Sequence, residues 1–270
     1  VVPSFSIRDA GQTVQYSLRG YVSTDARSVA DQPVALYIDD VFLGGTILTQ
    51  MESVDVKRIE ALRGPQGTLF GRNATGGLIH FISNGPTEEL DGKVSLQLGD
   101  YDERILEGAV GGPLGESLRG RIALKYNYNG GWQKNLMGGE DRDSKDALAG
   151  RAQLAWDISP DLTATLSFQF DRERNQYQGF SSFGTLSQDA SSICSYQQIR
   201  SLKCYIGGAP FSNVAAGTRS LATYEPDRIY STMGKSPFDF DAYIGIGRLD
   251  WKANENLTIS SITAIAGGDR

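Results

Sequence analysis

The sequence predicts a small α+β domain, residues 1–87, followed by antiparallel strands of a transmembrane β-barrel, residues 88–270. Three observations carry the prediction. After Gly92 the chain holds about seven segments that alternate apolar and polar residues, joined by connections that are short and long in turn, with tryptophans beside two of the short ones. The first part has none of this regularity.

In residues 1–87, "PVALYIDDVFLGG" places Val34 to Ile38, the pair Asp39-Asp40 and Val41 to Leu43 in succession, which reads as a β-hairpin. "MESVDVKRIEALRG" begins as an acidic turn and ends as a strand-like run closed by Gly64. The stretch from Glu60 to Thr87 then packs six glycines and two prolines among aliphatic residues. Glycine density of this kind suits a phosphate-binding loop, but no Lys-Ser or Lys-Thr pair follows, and the three-glycine dinucleotide fingerprint is absent. The use of these glycines has to come from the rest of the chain. His80, the chain's one histidine, is expected to be a structural polar residue of a strand.

The strands follow in order. Lys93 to Leu98 and Arg104 to Gly111 come first, and "RIALKYNYN" then sets Ile122, Leu124, Tyr126 and Tyr128 against Arg121, Ala123, Lys125 and Asn127. "LAGRAQLAWD" sets Leu148, Ala152, Leu154 and Trp156 against Arg151, Gln153 and Asp157. "LTATLSFQFD" opposes Leu162, Ala164, Leu166, Phe168 and Phe170 to Thr163, Thr165, Ser167, Gln169 and Asp171. Phe240 to Trp251 and Leu257 to Ile265 complete the set. "SPD" at Ser159 and "ANEN" at Ala253 are tight turns, whereas Asn129 to Ala147 and Asn175 to Pro237 are long, as inner turns and outer loops of a membrane barrel are. Trp156 and Trp251 fit an inner aromatic belt; Tyr126, Tyr128, Phe168 and Phe170 are expected in the outer one. A soluble β-sandwich fits less well, because globular strands centre near 5 to 6 residues and loops beyond about 15 are uncommon.

Composition removes other classes. A net charge of −6 with scattered Lys and Arg opposes nucleic-acid binding. No window has the roughly 18 to 20 apolar residues of a membrane helix, so any membrane signal is of the alternating kind. The chain opens on Val1, already in an extended pattern, and is expected to be internal to a longer protein. Cys194 and Cys204 lie close enough in sequence to form a disulfide or to remain two loop thiols. With one histidine, no metal centre is expected, and no G-x-S-x-G elbow or phosphate loop points to an enzyme or a cofactor.

"LRGPQGTLFGRNATGGLIHFIS" resembles the plug domain of TonB-dependent outer-membrane receptors. "YSLRGY" is similar to an earlier Arg-Gly element of that plug, "VALYIDDVFLGG" to its hairpin, and "GAVGGPLGESLRGRIALKYNYNGGW" to the first barrel hairpins. The resemblance implies a plug held inside a barrel of about twenty-two strands. It implies uptake of a scarce nutrient such as a ferric siderophore, cobalamin or a glycan, with a passive porin-like channel as the alternative. The partners implied are the TonB complex of the inner membrane, through a box N-terminal to Val1, a small-molecule ligand such as an iron chelate, and outer-membrane lipid. Gly64, Gly67, Gly71, Gly76 and Gly77 become plug turns that use positive φ or close approach. Arg19 and Arg63 become plug arginines paired with barrel glutamates, Glu107 being the local one. Tyr177, Phe180, Phe183, Tyr196 and Tyr205 become ligand-loop aromatics, in a loop that a Cys194–Cys204 bridge would restrain. Asp40 stands where the family's turn usually has glycine, and His80 where asparagine is commoner.

Overall fold

The computed structural model describes residues 5–9, 14–20, 33–44, 48–71, 74–135, 140–176, 186–187, 204–206, 209–210, 228–229 and 237–269. In the first part, β1 (Phe5–Asp9) and β2 (Val14–Leu18) form an antiparallel hairpin. Four further strands, β3 (Val34–Ile38), β4 (Val41–Phe42), β5 (Val56–Arg63) and β6 (Gly77–Ser83), make a mixed sheet in the order β4-β3-β6-β5, with a one-turn helix α1 (Gly67–Phe70) between β5 and β6.

The expected hairpin is there: Ile38 pairs with Val41, and Asp39 and Asp40 have φ of 46° and 70°. Positive φ at both central positions is the type I′ pattern, which aspartate tolerates better than most residues. Local bonds hold it. The Asp39 carboxylate accepts from Ser83 N at 2.8 Å and Ser83 Oγ at 2.7 Å, while Asp40 N–H donates to His80 Nε2 at 3.0 Å. His80 is therefore a buried structural residue, as its place in the strand suggested.

The second part is a sheet of seven long strands. These are β7 (Asp91–Leu98), β8 (Arg104–Pro113) and β9 (Leu118–Asn129), then, after a short β10 (Lys134–Asn135), β11 (Lys145–Ser159) and β12 (Leu162–Gln176). Between β12 and the last pair come the short pieces β13 (Leu186–Ser187), β14 (Cys204–Ile206), β15 (Ala209–Pro210) and β16 (Arg228–Ile229); β17 (Pro237–Asn254) and β18 (Leu257–Asp269) end the chain. The long strands neighbour one another in sequence order, all antiparallel, from β7 at one edge to β18 at the other. The sheet is not closed.

Its two faces reverse the soluble arrangement. Along β11, Leu148, Leu154 and Trp156 point out and are exposed, whereas Ala147, Ala149, Arg151 and Gln153 point in and are buried. Across β12, Leu166 and Phe168 are exposed, and Gln169, Asp171 and Glu173 are buried. Apolar outside and polar inside is the order lipid imposes, and it excludes the sandwich. Trp156 and Trp251 lie at the end with the short turns, as expected, and Tyr126 and Tyr128 lie toward the other. Phe168 and Phe170 do not join them: opposite Ala152 and Gly150, they sit at mid-height, and Arg172 stands nearer the outer rim.

Candidate functional site

The first domain packs against the inner, polar face of the sheet, and the contact has two parts. The apolar part is a seam on β17, where Ile244 and Ile246 join Tyr16, Leu18, Val34, Leu36, Ile38, Leu43 and Ile79 in one cluster, and Phe240 and Ala242 pack with Met51. The plug's other face keeps its own core of Ala35, Tyr37, Ala74 and Leu78 with Leu62 and Phe70. The aliphatic run Leu78-Ile79 thus serves both sides of its sheet, as a strand with period two must.

The polar part is a strap. After a single 3₁₀ turn, Leu48–Gln50, residues 51–55 run along the wall outside any helix or strand, and every polar group of Glu52 is taken by it. Its N–H donates to Asp171 Oδ2 and its carbonyl accepts Gln169 Nε2 at 3.0 Å. Its carboxylate accepts from Lys125 at 2.6 Å, Lys145 at 2.5 Å and Asn127 at 3.1 Å. Two residues on, Val54 is fully buried against Ala109, Ala123 and Ala149, small inward residues that leave room for the strap. Asp55, at φ 50°, takes Arg121 Nε at 2.5 Å, Lys93 at 3.2 Å and Asn84 at 2.8 Å on its carboxylate, and its N–H donates to Glu107 at 3.1 Å. Arg151 bridges Ser83 of the plug to Gln169.

These contacts set the charge states of the plug's acids. Burial alone would raise the Glu52 carboxyl, but Lys145 and Lys125 outweigh it and hold the pKa down to about 2. Burial also works against Asp55, and hydrogen bonds from Arg121, Asn84 and Lys93 bring its carboxyl below the usual range. Burial, with Glu52 nearby, pushes the Tyr16 phenol up to about 12; its hydroxyl donates to Thr49 O at 3.0 Å.

The residues expected to carry the site are placed differently. Arg19 and Arg63 are exposed, and among the described residues neither forms an ion pair. Glu107 is not their partner, because Lys93, at 3.2 Å, and the Asp55 amide occupy it. Among the described residues the polarity is the reverse of the expectation: the plug supplies the acids and the wall the bases. Among the glycines, Gly64 and Gly71 have φ of 84° and 71°, and Gly77 has 136°. A Cβ on Gly77 would collide with Leu62 O and Leu18 Cδ2, so this position needs both the backbone freedom and the missing side chain. Gly67 and Gly76 do not have positive φ. The first opens α1, and the second is held by Pro33 O and Gly64 N. Tyr177, Phe180, Phe183, Cys194 and Tyr196 lie outside the described residues; Cys204 and Tyr205 are described in backbone only, paired with Ser187 and Leu186.

Sequence reasoning missed Glu52, Asp55 and their wall partners. A signal was present: the inward positions of the alternating strands carry Arg121, Lys125, Lys145 and Arg151, and such a face needs acids from whatever fills it.

An α+β domain seated on the polar face of an open sheet whose outer face is apolar defines a plug against part of a transmembrane β-barrel wall. Residues 1–78 match the sequence profile of the TonB-dependent receptor plug domain. The pesticin receptor of Yersinia pestis is 30% identical over 165 residues, 60% of this chain and 24% of that protein. The ferripyoverdine receptor of Pseudomonas aeruginosa is 26% identical over 223 residues, 80% of this chain and 26% of that protein. The crystal structure of the ferric yersiniabactin uptake receptor FyuA from Yersinia pestis superposes with a TM-score of 0.74 at 19% identity, over 99% of this chain and 37% of that one. Residues 1–78 thus match the plug domain of TonB-dependent receptors, the chain is similar to such receptors over most of its length, and it spans about a quarter of the length of the curated relatives it matches.

Proposed function

We propose that the receptor containing this chain takes up a scarce nutrient across the bacterial outer membrane, of the ferric siderophore class, with energy from the TonB complex of the inner membrane. One observation carries the reading: the plug is bonded to the inner wall by the Glu52 and Asp55 strap and by the β17 seam, so the lumen beside these strands is filled. A filled lumen opposes the porin-like alternative and calls for an energy source to move the plug. The relatives' names include ferripyoverdine, ferric enterobactin and ferric yersiniabactin receptors beside vitamin B12 transporters, and this reading takes the iron-chelate class and a receptor rather than an enzyme.

In this reading Tyr177, Phe180, Phe183, Tyr196 and Tyr205 contribute to ligand capture, and a Cys194–Cys204 bridge restrains their loop. Arg19 and Arg63 face acids of the wall outside this chain and act as a second set of plug contacts. The test is uptake of radiolabelled iron chelates by cells that express the full-length receptor, with and without TonB. Saturable, TonB-dependent uptake is expected. TonB-independent, non-saturable entry of hydrophilic solutes would overturn the reading in favour of a passive channel.

A further inference from the structure

On the outward face, the rows of side chains run across the strands in register. Toward the outer rim, Arg104 stands opposite Tyr128; one row further in, Leu96, Leu106, Tyr126 and Leu148 line up, and in the next Val94 and Leu124 flank Gly108. Two other outward glycines are roofed, Gly150 by the Phe170 ring and Leu124, and Gly267 by Tyr243. Gly108 is not. The nearest atoms to a Cβ placed there are Val94 Cγ2 at 3.8 Å and Lys93 O at 3.9 Å. The result is a groove of about 550 Å³ whose lining includes Val94, Leu106, Leu124, Tyr126 and Leu148, with Gly108 as its floor.

We propose that this groove seats one acyl chain of a phosphate-bearing lipid of the outer leaflet, held more tightly than the lipids around it, with Arg104 meeting the phosphate. The proposal rests on reading the sheet as bilayer-spanning. The occupant follows from position and charge: the groove is continuous with the lipid-facing band, and it runs from the row of Leu106, just inside Arg104, to mid-height, the course of an acyl chain whose headgroup lies at the rim. Arg104 stands at the end nearer the rim. Its side chain is 59% exposed, it uses one terminal nitrogen on Asp102, and its guanidinium lies 6.0 Å from the Tyr128 ring centroid. A guanidinium with free donors pairs readily with phosphate oxygens, and an aromatic neighbour suits the headgroup boundary.

The experiment is native mass spectrometry of the full-length receptor, carried from its own membrane into a mild detergent, with phosphorus analysis of the lipid retained. One phosphate-bearing lipid per receptor is expected. Gly108→Leu fills the floor and should lower the retained fraction about tenfold, the equivalent of about two buried methylenes. Arg104→Gln should lower it by a similar factor through loss of a charge-assisted bond, about tenfold. Gly247→Leu, on the same face but far from the groove, should leave it unchanged; its Cβ position has comparable room, with Leu166 Cδ2 at 3.6 Å. Heat-modifiable migration checks that each variant is a folded barrel, and Gly108→Ala, a milder filling, serves if the leucine variant is not. Equal retention in the wild type and the folded Gly108 variants would overturn the proposal. So would an adventitious additive only, or a second receptor chain in place of the lipid. Iron-chelate uptake by Gly108→Leu should be unchanged, so failure here is distinct from failure of the transport reading.

Discussion

On β17 the plug meets Phe240, Ala242, Ile244 and Ile246, whereas on β8, β9, β11 and β12 it meets Glu107, Arg121, Lys125, Lys145, Arg151, Gln169 and Asp171. The same small domain is thus held by two kinds of force. Apolar burial is non-directional, so the seam favours contact without fixing where each residue sits. Buried charges are different, since each needs its own partner at hydrogen-bond distance or is strongly destabilising. The strap therefore sets the register of plug on wall, and the seam adds adhesion. A pull on the plug meets them differently: a separated ion pair is re-solvated by water entering the lumen, but a separated seam exposes apolar surface.

The largest expected effect comes from the strap. Asp55→Ala leaves Arg121, almost fully buried, with the exposed Asp91 at 3.0 Å as its remaining counter-charge among the described residues. Breaking a buried pair costs about 3–5 kcal/mol. Hydrogen exchange of β5 and β6 in the full-length receptor should accelerate accordingly, and unchanged protection would show that the strap does not hold the plug. Next is the seam: Ile244→Ala removes a side chain that is 2% exposed and should cost about 2–5 kcal/mol by the same measurement. If the two regions are independent, the double variant should equal the sum to within about 0.5 kcal/mol. A larger deviation would mean that seam and strap form one cooperative unit.

Acid should separate them further. The Glu52 carboxyl is lowered from its ordinary 4.5 to about 2, so its contribution is complete above about 4.5 and is lost as pH falls through about 2. The share of plug protection that Glu52 carries should hold from neutral pH to about 4.5 and weaken below it. Glu52→Gln keeps the shape, loses the charge and should cost about 1.5–3 kcal/mol at neutral pH. Its acid-dependent loss between 4.5 and 2 should be correspondingly smaller. Ile244→Ala should shift stability equally across that range. An acid profile for Glu52→Gln identical to that of the wild type would assign the sensitivity to other groups.

How much of this was legible depends on the period of each signal. The long strands were readable because period-two alternation is local: "RIALKYNYN" names its own two faces. Which face is inside was not local, and the barrel reading drew on turn lengths and tryptophans. "MESVDVKRI" shows why the strap was missed. Its acids read as a local turn, while their role is fixed by Lys125, Lys145 and Arg121, 66 or more residues away in sequence. Arg19 and Arg63 drew attention through the Arg-Gly resemblance, but their exposed places offer no partner within the described chain.

The smallest effect is expected at the hairpin turn, where a surface contact and a backbone preference oppose each other. Asp40 pairs with Arg248 at 2.8 Å, linking the turn to β17, but both side chains are more than a third exposed, and such pairs contribute about 0–1 kcal/mol. Against that, Asp40 sits at φ 70°, which glycine adopts without the Cβ penalty. Its N–H bond to His80 comes from the backbone and survives substitution. Asp40→Gly should therefore change plug stability by less than about 0.5 kcal/mol, while removing whatever part of the seam's stability is sensitive to salt. The comparison to make is protection of β3 at low and high ionic strength. If Asp40→Gly destabilises by as much as Asp55→Ala, the Arg248 pair is a third anchor of the register, and the division between an adhesive seam and a specific strap would have to be redrawn.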